Sequence, residues 1–292
     1  MSTTKFAGAL IAAGMLGLSA APAQAADITL RVNNFLPNGH VINKNGWRWW
    51  ASEVEKRTDG RVKVIFSTKS LGSLARAYDI VRDGIGDVSW GVQGYTPNRF
   101  ISAEMIELPF LGPSATALSV AYWRVYKKYF EKAGEYRDVH LLNVHTHGPG
   151  DIVTTNKPLT KMADLRGQKI RILNKTTGQI LGIYGGSPVR EGMNKRKWAA
   201  LSKKDQAAVD SVSGEAFGIR LGHIWDKSQA SGIKLMEGNG TKITRVQGAQ
   251  LAAIKKKLAF LEAQWIKRAK TKGIDGAAAI AELRSIAANY KE

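Results

Sequence analysis

The chain contains no cysteine, and the usual signatures of catalysis are also missing. None of its 292 residues is a cysteine, which excludes disulfide bonds and thiolate chemistry. The sequence has no Walker A motif, no G-x-G-x-x-G after a strand, no G-x-S-x-G and no H-E-x-x-H. An enzyme mechanism therefore has no residues on which to rest, and the sequence predicts neither an enzyme nor a cofactor.

Long apolar runs are confined to the N-terminus. Lys5 precedes an apolar run from Phe6 to Ala21, and Ala23-Gln24-Ala25 forms an A-x-A cleavage site. The run is shorter than the ~20 residues that a membrane-spanning helix needs. A secretory signal peptide over residues 1–25 is therefore favoured over a membrane anchor. Because no later stretch is apolar enough to span a bilayer, we expect export to the periplasm without a membrane-spanning segment.

Acidic residues are scarce relative to basic ones. The chain has 24 Asp and Glu against 43 Lys and Arg, a formal net charge of +19. The predicted signal peptide carries one lysine and no acid, so the exported protein carries +18. A positive field favours anionic partners. An exported protein rarely meets nucleic acid, so a small anion, an anionic membrane surface and an ordinary lysine-rich surface remain as alternatives.

Strand and helix patterns alternate along the N-terminal half. Period-two strand patterns at 28–34, 61–66 and 87–92 are separated by helical patterns. This order predicts an α/β fold with a parallel sheet and helices on its faces. A helix is predicted between Ser114 as N-cap and Gly134 as C-terminal stop. Further strands are predicted at 139–145, 151–156 and 168–173.

The C-terminal part is predicted to be mainly helical. A helix at about 176–184 is followed by the junction "YGGSPVREGMNKRKW", in which a second helix begins at Asn194. Ser202 then serves as the N-cap of one long helix through residue 232. A short strand is predicted at 242–246, and two helices complete the chain.

Three groups of side chains are candidates for chemistry or binding. His145 and His147 would share one strand face and could hold a metal with Asp151, although a hydrogen-bonded structural role is favoured. Trp123, Tyr126 and Phe130 recur at helical spacing. That spacing favours a buried stripe with a lysine-rich outer face over a nucleic-acid or membrane surface.

Arg171 is the third candidate. It lies near the carboxyl end of the strand predicted at 168–173, where ligands bind in open α/β sheets. A guanidinium group holds a carboxylate through two parallel hydrogen bonds. A surface arginine paired with an acidic residue remains the alternative.

Several stretches, taken in order, resemble the solute-binding proteins of TRAP (tripartite ATP-independent periplasmic) transporters. They cover almost the whole chain after the signal peptide: "FLPNGH", "LGSLARAYDIVRDGIGDVSWGVQGYTPNRF", "ELPFLG", "THGPG", "DLRGQKIRI", "MNKRKWAALSKKDQAAVDSVSGEAF" and "WIKRAKTKGIDG". Each motif alone is weak, but their order along the chain is specific.

The resemblance implies a two-lobe periplasmic binding protein fold with long lobe-spanning and C-terminal helices. Residues 26–135 would form the first β/α lobe, completed by parts of 200–245. Residues 136–199 would form the second lobe, shortened near 189–193. Residues 200–292 would supply the long helix, the short strand and the C-terminal helices.

The resemblance also implies a function. Such a protein captures a small organic carboxylate between its lobes and delivers it to the membrane subunits of a TRAP permease. The selectivity arginine of the family matches Arg171, which would form a salt bridge with the ligand, and Asn174 would be its neighbour. The first lobe would contribute side chains facing the cleft: Phe35, His40, Tyr78, Tyr95 and Arg99.

The chain departs from the family pattern at the junction between Tyr184 and Trp198. In the family, a stretch of one βαβ unit or more, ~30 residues, separates the motifs "G.PV" and "MNK.KW". Here the first motif is Gly186-Ser187-Pro188-Val189 and the second is Met193–Trp198, so only residues 190–192 separate them. The alternative hypothesis is therefore a degenerate receptor whose incomplete ligand lobe binds weakly or not at all.

Overall fold

Five strands form one mixed sheet. The computed structural model describes residues 28–148, 150, 152, 164 and 188–291. The sheet order is β2-β1-β3-β5-β4. β1 pairs in parallel with β2 and β3, whereas β5 runs antiparallel to both β3 and β4. The strands are β1 (Ile28–Asn33), β2 (Val62–Phe66), β3 (Val88–Val92), β4 (Val139–Thr146) and β5 (Pro188–Asn194).

Helices cover both faces of the sheet. The α-helices are α1 (Arg48–Arg57), α2 (Ala77–Arg82), α3 (Ile101–Ile106), α4 (Ala115–Val125), α5 (Lys195–Ala200), α6 (Lys203–Ser211), α7 (Gly214–Gly238), α8 (Gly248–Lys270) and α9 (Gly276–Asn289). One core cluster joins the sheet to α2, α3, α4, α8 and α9. A second joins it to the π-helical turn Ile42–Trp47, α1, α6 and α7. The predicted α/β class with helices on both faces of a sheet is confirmed.

Local sequence rules account for much of this framework. In β1, Leu30 and Val32 are 0% and 1% exposed, as the period-two pattern predicts. The Ser114 side chain accepts a hydrogen bond from the Ala117 N–H at 3.1 Å and caps α4. Gly134 ends the same helical segment with a φ of +70°, in the left-handed region that favours glycine.

The aromatic stripe of the α4 segment is buried. Tyr126 and Phe130 are 3% and 0% exposed, and Trp123 packs against the same core. Lys127 and Lys128 are exposed. The prediction of a structural stripe with a lysine-rich outer face is therefore confirmed.

The junction "YGGSPVREGMNKRKW" contains a strand where the sequence predicted a connecting loop. Ser89 of β3 pairs with Gly192, and Thr146 of β4 pairs with Pro188, so β5 has hydrogen-bonded neighbours on both sides. The sequence concealed this strand because it has no period-two alternation. The helix predicted to begin at Asn194 is confirmed as α5. Its Asn194 Oδ1 accepts hydrogen bonds from two backbone N–H groups, at 3.0 and 3.2 Å.

Two other predictions in the C-terminal part are wrong. Ser202 does cap a helix, accepting from the Asp205 N–H at 3.1 Å, but the predicted single helix is divided into α6 and α7. Ser213 accepts a hydrogen bond from the Trp50 indole and donates one to the Val209 carbonyl, which holds a turn between the two helices. Residues 242–245 are exposed, and Val246 is half-buried against the core. Residues 242–246 form no strand, because no described strand lies beside them to complete the pairing.

The predicted lobe boundary does not coincide with a boundary between sheets. β4 and β5 lie within the range assigned to the second lobe, 136–199, yet both belong to the sheet of β1–β3. The predicted signal peptide, the strands at 151–156 and 168–173 and the helix at 176–184 lie outside the described residues. Within the ranges that the structure describes, no helix has the length and apolar content needed to cross a bilayer.

Helices α4 and α7 pack closely against each other: a Cβ at Gly222 of α7 would lie 2.5 Å from Thr116 Cα of α4. The Asp226 carboxylate of α7 accepts hydrogen bonds from the backbone N–H groups of Ala115 and Thr116 at 2.7 and 2.9 Å. It also accepts one from the Thr116 hydroxyl at 2.6 Å. An anion at a helix N-terminus is stabilised by the unpaired N–H groups and the helix dipole.

Replacing Asp226 with alanine should destabilise the protein by about 3 kcal/mol, because three donors lose a charged acceptor. Chemical denaturation should show this as a lower midpoint with an unchanged slope. Asp210→Ala is the control, since Asp210 is exposed and its side chain reaches His140 at 3.1 Å. Equal midpoints for the two variants would show that the Asp226 contacts contribute nothing.

Candidate functional site

The described strands bring five chain segments to one end of the sheet. β1, β2 and β3 are parallel and terminate there. Val92, at the end of β3, pairs with Val189, and Thr146, at the end of β4, pairs with Pro188. β4 therefore ends, and β5 begins, where the parallel strands end. This C-terminal end of the sheet is where open α/β sheets bind ligands.

Buried polar side chains hold the loops at this end. The Asn33 amide donates to the Ser89 hydroxyl at 3.0 Å, and its oxygen accepts from the Leu71 N–H at 2.9 Å. The Asn34 N–H donates to the Ser67 hydroxyl at 2.9 Å. These bonds fix the loops after β1 and β2 relative to β3, because each buried polar group has a defined partner.

Two of the predicted binding residues lie in the loop after β1. The Phe35 ring stacks on Trp90 of β3 at a centroid distance of 4.5 Å, and is half-buried. His40 is also half-buried, and its Nδ1 accepts a hydrogen bond from the Ile42 N–H at 3.3 Å. Burial lowers the pKa of the His40 imidazole, which therefore favours its neutral form.

The other three first-lobe candidates follow from α2 and β3. Tyr95 is half-buried in a short 3-10 turn directly after β3. Arg99 forms an ion pair with Asp79 at 2.9 Å and lies 4.3 Å above the Tyr78 ring. Tyr78 itself is 1% exposed within the core, and its hydroxyl donates to Asp138 at 3.3 Å. Tyr78 is thus part of the packed core, and Arg99 is held against it.

Arg171 and Asn174 lie outside the described residues, but the ends of their segment are defined. The chain leaves the sheet after Thr146 in β4 and returns at Pro188 in β5, and these two residues pair with each other. The segment that carries Arg171 therefore begins and ends at the C-terminal end of the sheet.

Sequence analysis missed one residue at this end, Trp225 of α7. Its ring lies edge-on to His40 and to His147, each at a centroid distance of 5.9 Å. We name these three residues the Trp225 cluster. No local pattern could have revealed it, because its members come from the loop after β1, the end of β4 and the middle of α7.

The two histidines considered for metal binding occupy different environments. His145 is 0% exposed within β4. His147 is half-buried beyond the strand end, and its Nδ1 lies 2.7 Å from the Gly148 carbonyl oxygen. Burial lowers the pKa of His147. Asp151, the suggested third ligand, lies outside the described residues. Among the described residues, no group of three or more His, Cys, Asp or Glu side chains could hold a metal ion.

The comparison with protein families decides the classification. The family described as bacterial extracellular solute-binding protein, family 7 (DctP) matches residues 32–193, which is more than half of the chain. The protein belongs to this family. Its members are transport proteins that bind solutes, and its structural neighbours are periplasmic solute-binding proteins of TRAP transporters. The predicted resemblance to the solute-binding proteins of TRAP transporters is therefore confirmed.

Two solved structures illustrate the similarity. A TRAP periplasmic solute-binding protein from Bordetella bronchiseptica, with bound (R)- and (S)-mandelate, is 28% identical with a TM-score of 0.79, and the match covers 88% of this chain and 98% of that one. A marine metagenome TRAP solute-binding protein specific for aromatic acid ligands, in complex with 3-hydroxybenzoate, is 27% identical with a TM-score of 0.79, covering 92% and 100% of the two chains.

A sequence relative adds information on chain length. The outer membrane transporter protein TsaT of Comamonas testosteroni is 25% identical, and the alignment covers 96% of this chain and 97% of the relative. The alignment extends over 337 positions, at least 45 more than the 292 residues of this chain. The relative therefore contains residues that have no counterpart in this chain.

Proposed function

We propose that the protein is the solute-binding subunit of a TRAP transporter that captures a small organic monocarboxylate in the periplasm and delivers it to the membrane permease. The family match over residues 32–193 carries this proposal, because the matched range contains both the C-terminal end of the sheet and Arg171. Aromatic acids are the first class to test, since relatives crystallised with mandelate and 3-hydroxybenzoate are 28% and 27% identical.

In this proposal Arg171 holds the carboxylate of the solute through two hydrogen bonds, and Asn174 adds a further polar contact. Phe35, His40 and Tyr95 contribute from the loops after β1 and β3, where all three are half-buried. The excess of Lys and Arg over Asp and Glu, 43 against 24, supports attraction of anionic solutes to the protein.

A degenerate receptor is not favoured as a second function. β5 pairs on both sides at the shortened junction, so the backbone there has hydrogen-bonding partners. An unpaired strand at this position would have supported the hypothesis of a degenerate receptor, because an exposed sheet edge promotes aggregation of the protein.

The test uses the exported protein and a panel of acids. Thermal unfolding is recorded with mandelate, 3-hydroxybenzoate and benzoate, and with the uncharged amide of each acid. At a ligand concentration of 100 times Kd, binding should stabilise the folded state by about 2.7 kcal/mol. We expect at least one acid to raise the melting temperature and its amide to leave the melting temperature unchanged. An unchanged melting temperature with these acids and with aliphatic mono- and dicarboxylates would refute the proposal and support a degenerate receptor.

A further inference from the structure

The Trp225 indole N–H is buried and has no hydrogen-bond partner. Its accessible surface is below 1 Å², and no acceptor lies within reach of it in the part of the chain that the structure describes. Leaving a buried donor unpaired is costly, and native proteins rarely do so without a reason. Trp225 as a whole is only half-buried, so part of the residue is accessible although the N–H is not.

The position of Trp225 relates this donor to the proposed binding site. Its ring contacts His40, from the loop after β1, and His147, just beyond β4. Gln229 lies one turn further along α7. It is so close to Gly148 that a Cβ atom added at Gly148 would collide with the Gln229 side chain. Gly148 belongs to the segment that leaves β4 towards Arg171. Trp225 is therefore beside the start of the segment proposed to bind the carboxylate.

A second tryptophan shows that an unpaired indole alone does not make a site. Trp47 Nε1 is also buried without a partner among the described residues. However, Trp47 is 1% exposed and its ring packs edge-on against Trp50 and Phe217 in the core. Trp225 differs because it combines an unpaired donor, only partial burial of the residue and a location at the C-terminal end of the sheet.

The imidazoles of the Trp225 cluster are suited to an uncharged polar group. His40 Nδ1 accepts from the Ile42 N–H, so the neutral ring carries its proton on Nε2. His147 Nδ1 faces a carbonyl oxygen and must donate to it. Burial lowers the pKa of both rings. The Trp225 indole N–H and the His40 Nε2–H can each donate to a hydroxyl or keto oxygen, whereas the neutral His147 ring already donates its only proton to the Gly148 carbonyl. None of the three rings offers a full charge to balance a second carboxylate.

We propose that Trp225 determines specificity by donating its indole N–H to a hydroxyl or keto oxygen that the solute carries in addition to its carboxylate. The inference rests on the proposed function and adds the substrate class: hydroxy- or keto-monocarboxylates in preference to unsubstituted acids and dicarboxylates. A site built to bond such an oxygen rejects the analogue that lacks it, because its own buried donor is then left unpaired.

Calorimetric titration of matched ligand pairs tests this proposal. The pairs are 3-hydroxybenzoate with benzoate and mandelate with phenylacetate, and isophthalate serves as the dicarboxylate. Wild-type protein should bind at least one hydroxy acid about tenfold more tightly than its partner and than isophthalate. Trp225→Phe keeps an aromatic ring but removes the donor. It should weaken binding of that hydroxy acid about tenfold and change binding of the unsubstituted acid less than about threefold.

Trp198→Phe is the matched control. Trp198 is also half-buried and contacts a histidine ring, His140 at 3.5 Å, but it lies beyond the opposite end of the sheet, where β4 begins. It should leave all affinities within about twofold of wild type. Two results would overturn the inference about Trp225 but leave the proposed function intact. The wild type could bind both members of each pair equally well, or Trp225→Phe could lose the same affinity for substituted and unsubstituted acids. Failure of the wild type to bind any carboxylate would overturn the inference together with the proposed function.

Discussion

Replacing Gly222 with alanine should destabilise the protein by about 3 kcal/mol, because the new methyl group would overlap the backbone of another helix. A Cβ at Gly222 in α7 would lie 2.5 Å from Thr116 Cα and 2.8 Å from Thr116 N in α4. These are backbone atoms, so no side-chain rotation can relieve the overlap. The two helices would have to move apart, which would also lengthen the Asp226 hydrogen bonds at the start of α4.

Gly232→Ala provides the matched control for this prediction. Gly232 lies in the same helix, and no atom is within 4 Å of the position that its Cβ would occupy. Alanine should therefore stabilise α7 by about 0.5–1 kcal/mol, through its higher helix propensity. In thermal unfolding we expect a decrease of roughly 6–12 °C for Gly222→Ala and a small increase for Gly232→Ala. Similar melting temperatures for the two variants would show that α4 and α7 separate without cost.

Replacing Arg171 with alanine should weaken binding of the best organic acid at least about 30-fold. Truncating one member of a buried, hydrogen-bonded charge pair costs about 2–5 kcal/mol, since the remaining charge loses its partner. Arg171→Lys should retain part of the affinity, because an ammonium group keeps the charge but lacks the planar pair of donors that fits a carboxylate. Calorimetric titration of the three proteins with the same acid measures both effects.

Arg57→Ala controls for the loss of one positive charge. Arg57 is exposed at the end of α1, where it pairs with Glu53 at 3.1 Å, and it has no part in the proposed site. Its loss should change affinity less than about twofold, because exposed ion pairs contribute little. If Arg171→Ala and Arg57→Ala bind the acid equally well, the carboxylate is held by other residues and the assignment of Arg171 is wrong.

The features predicted correctly from sequence depend on near neighbours in the chain. β1 was recognised because apolar residues alternate, and α4 because Ser114 precedes its first turn. The N-caps Ser202 and Asn194 bond N–H groups two or three residues further on. Such interactions join residues a few positions apart in the chain, so they can be predicted from a single sequence.

The errors arose where a distant segment changes the local outcome. Residues 188–194 have no strand pattern, yet they pair with β3, which lies about 100 residues earlier in the chain, and with β4. Residues 242–246 have a strand pattern but no described partner. The break between α6 and α7 involves a hydrogen bond between Trp50 and Ser213, which are 163 residues apart. Sequence patterns carry no information about such contacts.

Composition and local patterns were enough to exclude thiol chemistry and to predict the strong positive charge, the order of most helices and strands, and the family that the comparisons then confirmed. Three features became visible only in the folded chain: the shortened junction forms β5, Tyr78 is a core residue, and Trp225 contacts two histidines beside the proposed site. The difference lies in the range of the interactions. A capped helix satisfies its bonds locally, whereas a strand needs another strand for its N–H and C=O groups, and a binding site needs side chains from several elements.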